Sequence, residues 1–94
     1  MRREVRLSVR AKIDLERLVD FLIEKNPNAA KRARDTLAKA LNSLQEFAER
    51  GRQGPRIDLR ELPIRFGRAA YVIQYRVEPE RVFVTHIFPS IEGA

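Results

Sequence analysis

Apolar side chains recur at helical spacing from about residue 10 to residue 50, and at residues 26–27 that stretch is cut by Asn-Pro. The residue before a proline is pushed out of the α region, so one long helix is excluded and an antiparallel helical hairpin is required. In the first helix Ile13, Leu15, Leu18, Val19, Leu22 and Ile23 form the apolar stripe, with Arg10, Lys12, Glu16, Arg17, Asp20 and Glu24 off it. Ser8 has the side chain of an N-cap. The second helix is predicted to start at Asn28 as its N-cap and to run to Arg50, with Gly51 as a left-handed C-terminal residue. Ala30, Ala33, Leu37, Ala40, Leu41, Leu44 and Ala48 hold its inner face, and the alanines permit close approach of the first helix.

Either side of the hairpin the apolar period falls to two. Residues 3–9 alternate, with Val5, Leu7 and Val9 opposite Glu4, Arg6 and Ser8, as in a half-buried strand. After a Gly/Pro/Arg loop at residues 51–56 come three strand candidates, 57–65, 69–77 and 82–88. Gly67 and Glu78-Pro79-Glu80 join them closely enough for an antiparallel meander. Pro63 lacks a ladder donor, which places its strand at an edge or at a bulge. The expected architecture is a single α+β domain over 1–94, ordered βααβββ, with the helical hairpin packed on one face of a small, twisted, mostly antiparallel sheet. The first strand enters that sheet by a crossover through both helices. Alternation puts Tyr71, Ile73, Tyr75 and Val77 opposite Ala70 and Val72, and Val82, Val84 and Phe88 opposite Phe83 and Ile87. Both faces then carry apolar groups, so the face without helices is a candidate partner-binding surface.

The chain has 94 residues and no cysteine, which excludes a disulfide framework and thiolate metal sites. It contains neither a signal-peptide-like opening nor a long apolar run, so no membrane association and a cytoplasmic location are expected. Nineteen basic and 13 acidic residues give a formal charge of +6, and every basic residue after Lys39 is an arginine. The arginines from Arg52 to Arg68, with Arg76 and Arg81, suit phosphate or carboxylate recognition because each guanidinium donates in a planar fork. Catalytic options are few. His86 is the only histidine and reads as a structural or interface residue, Ser90 lacks an elbow motif for a triad, and no ligand spacing or phosphate-cradling glycine pattern occurs. No cofactor or metal is expected.

With this element order, LSVRAKIDLERLVDFL at 7–22, the segment from Asn26 to Arg52, LRELPI at 59–64 and YVIQYRV at 71–77 resemble the ParE branch of the RelE/ParE toxin superfamily. The resemblance covers residues 5–92. It implies a non-enzymatic toxin of a type II toxin–antitoxin system, of the kind associated with plasmid stabilisation, that inhibits DNA gyrase. It further implies a ParD-like antitoxin with a ribbon-helix-helix domain, through which alone operator DNA is contacted. The antitoxin's acidic, apolar segment would meet Leu15, Leu18, Phe21 and Leu22, with Arg60, Arg65 and Arg76 pairing its carboxylates. Target contacts are expected at Arg65, Arg68, Arg81, Phe88 and Ile91. The alternatives are a RelE-like mRNA endoribonuclease using Arg60, Arg68, Arg76 and Tyr75 or His86, and an inactive toxin relative that only binds antitoxin. Pro89 and Ile91 occupy the tail where family members often have His and Arg, which favours the non-enzymatic branch.

Overall fold

The computed structural model describes residues 2–90. The elements run β1 (Glu4–Leu7), α1 (Val9–Lys25), α2 (Pro27–Ser43), a single 3-10 turn at Ala48–Arg50, β2 (Arg52–Gln53), β3 (Arg60–Phe66), β4 (Ala69–Val77) and β5 (Arg81–Pro89). The five strands form one sheet in the order β1-β5-β4-β3-β2. β1 pairs with β5 in parallel, and the other neighbours are antiparallel. The α+β reading and its order therefore hold, with the two-residue β2 added at the far edge.

Two cap residues set the helical hairpin. The Ser8 hydroxyl accepts from Ala11 N–H at 3.0 Å and donates to the Thr85 carbonyl at 2.9 Å, so the cap of α1 also ties it to β5. Asn26 ends α1 by donating its N–H to the Leu22 carbonyl at 2.7 Å. Its side-chain oxygen accepts from Asn28 and Ala29 N–H, so it is also the N-cap of α2. The expected cap at Asn28 thus moves to Asn26. Pro27 at the first helical position loses nothing by lacking an N–H and has a preset helical φ.

α2 ends at Ser43, short of the expected Arg50. There the Ser43 hydroxyl donates to the Ala40 carbonyl at 2.6 Å and accepts from Arg50 at 2.6 Å, so the side chain competes with the backbone ladder. The chain turns, burying Leu44 and Ala48 completely beneath the sheet. Gly51 is extended, with φ −72°, and is not a left-handed cap. It is small for a different reason: a Cβ there would lie 2.9 Å from Tyr75 Cε1 and against the Tyr75 hydroxyl. Gly67, with φ 58°, is the residue that uses the left-handed region, in the β3–β4 turn.

The core lies between the helices and one sheet face, and includes Ala11, Leu37, Leu41, Leu44, Leu62, Ile73, Tyr75, Val82, Val84 and Ile87. On α1 only Ala11 and Val19 are buried. Ile13 and Ile23, expected in the stripe, are exposed, because the small Ala11 makes the close approach to the sheet. β5 carries a bulge at Thr85, since Gln74 pairs with His86 but Tyr75 pairs with Val84. The extra residue resets the alternation, so Ile87 joins Val82 and Val84 in the core, and Phe88 takes the opposite face with Phe83. This reverses the expected placement of Ile87 and Phe88. Pro63 pairs with Val72 in β3, while β2 covers only Arg60 and Glu61, so the proline lies on an open stretch of edge as expected.

Tyr75 is completely buried, and its hydroxyl donates to the Ala48 carbonyl and accepts from Gly51 N–H, both at 2.8 Å. Burial raises its pKa, outweighing the opposing effects of the Gly51 N–H, Arg60 and Arg50. Tyr75→Phe leaves the Ala48 and Gly51 groups unsatisfied and is expected to cost about 1–3 kcal/mol in chemical denaturation. A change under a few tenths of a kcal/mol would show that this hydroxyl does not hold the turn.

Candidate functional site

β1 is short, and its pairing reaches only Val84 of β5. Beyond it the outer edge of β5 is open, and α1 runs beside it. There Asp14 stands in for a neighbouring strand: its carboxylate accepts from Ile87 N–H at 3.0 Å and from Arg10 Nε at 2.9 Å. Pro89, the next residue with its backbone toward this side, has no N–H to offer. The edge is thereby closed to strand addition, as exposed edges generally need to be. The other side of β1 is blocked near its start, where the Gln45 carbonyl accepts Arg3 N–H at 2.8 Å.

Between α1 and this end of β5 lies a groove of about 360 Å³. Leu18, Phe21, Tyr71, Ile87 and Pro89 contribute apolar walls, and Arg10 and Arg17 contribute cations. Phe21 is 56% exposed although the core beside it is tightly filled, and Lys25 lies 5.5 Å from its ring centroid. Burial raises the pKa of Tyr71 above the ordinary phenol range. Of the helical residues singled out in the sequence, Leu18 and Phe21 face this groove. Leu15 lies on a second groove between α1 and α2, and Leu22 is half-buried. Arg10, Arg17 and the Asp14 contact were not singled out; the Arg10/Asp14 spacing of four residues on one helix was the available signal.

The sheet face opposite the helices presents cross-strand rows. Arg6, Phe83 and Arg76 are paired across β1, β5 and β4. The guanidinium carbons of Arg76 and Arg81 each lie 5.1 Å from the Phe83 ring centroid. Both arginines are joined to Glu78, Arg76 at 3.3 Å and Arg81 by a very short contact. In the next row Thr85 donates to Gln74, and Gln74 donates to Glu61 at 3.2 Å. His86 is paired with Gln74 in register, and its Nδ1 is buried with no hydrogen-bond partner among the described residues.

The remaining singled-out residues are dispersed. Arg60 donates to the Glu49 and Gly51 carbonyls at 3.2 and 2.9 Å and braces the turn that Tyr75 holds. Arg65 is exposed on β3 and Arg68 in the β3–β4 turn, neither in an ion pair among the described residues. Phe88 is half-buried on the other face of β5 from Ile87 and, unlike these, also lines the α1–β5 groove. Ile91 lies outside the described residues. No cluster of metal-ligating side chains occurs among the described residues, and no described helix is long and apolar enough to cross a membrane.

The chain is thus a two-helix hairpin on a mixed five-stranded sheet, with an apolar groove between α1 and β5. Its residues 5–90 match the family described as ParE toxin of type II toxin–antitoxin system, parDE, and the chain belongs to that family. It is 47% identical over 89 residues to Toxin RelE1 of Caulobacter vibrioides, covering 94% of each chain. It is 37% identical over 90 residues to Toxin RelE3 of the same organism, covering 96% of this chain and 97% of the relative. Its fold superposes on a chain of the chromosomal ParDE TA system from P. aeruginosa with a TM-score of 0.79 at 19% identity, covering 93% of this chain and 95% of the other.

The Glu78 carboxyl is held below the ordinary carboxylate range, first by the hydrogen bond from Arg81 and then by Arg76, against the opposing effect of desolvation. A depressed folded-state pKa contributes stability above the unfolded value, and that stability is lost as pH falls through the folded value. Glu78→Gln is therefore expected to lower the melting temperature at neutral pH and to converge with the parent in acid. Parallel melting curves separated equally at every pH would contradict this linkage.

Proposed function

We propose that this toxin acts by binding DNA gyrase, without chemistry of its own, and that a cognate antitoxin neutralises it by occupying the α1–β5 groove. The observation that carries the non-enzymatic reading is the dispersal of the groups an RNA-cleaving site would need. General acid–base cleavage requires a base, an acid and cations within hydrogen-bond reach of one phosphate. Here the Tyr75 hydroxyl is buried under Ala48 and Gly51, Arg60 is committed to two backbone carbonyls, and Arg68 sits in a distant turn. Arg76 and His86 share the open face, but Arg76 is held by Glu78, which Arg81 also contacts. The match to a parDE-type toxin family supports the antitoxin partner, and the gyrase target follows from the resemblance to the ParE branch.

For the antitoxin, the groove favours a segment with apolar side chains for Leu18 and Phe21 and a carboxylate for Arg17, Arg10 being paired with Asp14. Such a segment orders on binding. A ribbon-helix-helix domain elsewhere in that partner would carry operator recognition, in the cytoplasm.

Purified toxin is expected to inhibit gyrase supercoiling or trap cleaved DNA, and to leave ribosome-bound mRNA intact in a primer-extension assay. Untouched gyrase together with cut transcripts would overturn the reading in favour of the ribonuclease.

A further inference from the structure

Some cations of this molecule stand in ion pairs. Arg2, Arg6, Arg10, Arg56, Arg76 and Arg81 are all in ion pairs. Among those that do not, four are gathered on the outer face of α2. Lys31, Arg32, Arg34 and Lys39 are exposed and make no ion pair or hydrogen bond among the described residues. At about 100° per residue they spread over about 160° of the helix, opposite the buried arc of Ala30, Ala33, Leu37, Ala40 and Leu41. Asp35 is the one acid on that outer arc, and Arg34 flanks Glu16 and Asp20 across the α1–α2 groove without pairing to them.

We propose that the outer face of α2 is a sequence-independent contact for the phosphate backbone of duplex DNA, made directly by the toxin. Two properties separate this face from a protein-binding surface. Its exposed arc carries only one apolar side chain, the methyl of Ala38, whereas protein interfaces depend on desolvated aromatic or aliphatic anchors. Phosphate contacts need only donors and positive charge. The spacing also fits: Lys31 to Lys39 spans about 12 Å of helix, over which one DNA strand presents about three to four phosphates. The open sheet face is a poorer candidate, because its Arg76 and Arg81 share Glu78 and lie over the Phe83 ring, and Arg6 is paired with Glu4. DNA contact here is additional to any carried by an antitoxin, and it does not depend on the identity of the toxin's target.

The test is fluorescence anisotropy of the full chain with a random-sequence 20-base-pair duplex at several salt concentrations. Four neutralised phosphates predict a log K against log salt slope of about −3 to −4. In one variant Lys31, Arg32, Arg34 and Lys39 are all changed to Gln, a good helix former at exposed positions. It should lose at least about tenfold in affinity at low salt and most of the slope. A second variant removes equal charge through Arg2→Gln, Arg6→Gln, Lys12→Gln and Arg56→Gln, and should keep the slope within about one unit. The double variant R32Q/K39Q should fall between, which guards against misfolding of the fourfold one. Equal losses in both fourfold variants would show bulk charge alone and overturn the proposal. So would an unchanged slope in the α2 variant, or a polyglutamate peptide that binds this face as tightly as the duplex.

Discussion

The parallel pairing of β1 with β5 is the contact on which the rest of this molecule depends. It joins the first strand of the chain to the last, which forces both helices into the crossover between them and lays α1 against β5. Because β1 is only four residues long, the pairing stops at Val84 and leaves the end of β5 unpartnered. Ser8 and Asp14 then serve that end, one through the Thr85 carbonyl and the other through Ile87 N–H. The groove beside them follows from a strand that is too short for its neighbour. A longer β1 would fill it with backbone.

Charge is distributed along the same division. Near the sheet and the groove, Arg10, Arg60 and Arg76 are held by carboxylates or carbonyls beside apolar surface, whereas Arg17, Arg65 and Arg68 are exposed without such partners among the described residues. On α2 the cations stand alone on a polar face. A net charge of +6 therefore describes two surfaces with different physical behaviour. One would exclude water around an anchored partner, and the other would exchange counterions with a polyanion in a salt-dependent way.

Much of the fold was legible because its signals are local. Asn26-Pro27 fixed the hairpin, Ser8 capped α1 as expected, and the alternation at 69–77 matched β4 residue for residue. The misplacements came from tertiary effects. One inserted residue at Thr85 moved Ile87 inward, and α2 stopped at Ser43 because Ala48 was needed under Tyr75. The two-residue β2 has no periodicity to detect. At the site, residue type suggested that Arg60 and Tyr75 were available for chemistry, whereas both brace one turn. An ion pair such as Arg10–Asp14 can be read from helical spacing, but Arg2–Glu46 joins residues far apart in the chain, so which cations remained unpaired was not readable.

The central claim is that the short β1 leaves a protein-binding groove between α1 and the end of β5. Amide hydrogen exchange of the toxin, alone and with its cognate antitoxin, tests this most directly. The account predicts slowed exchange at residues 86–88 and along residues 15–22, with residues 31–39 of α2 unchanged. Protection confined to the β3–β4 side of the sheet, with the Ile87 amide exchanging as in the free toxin, would contradict it.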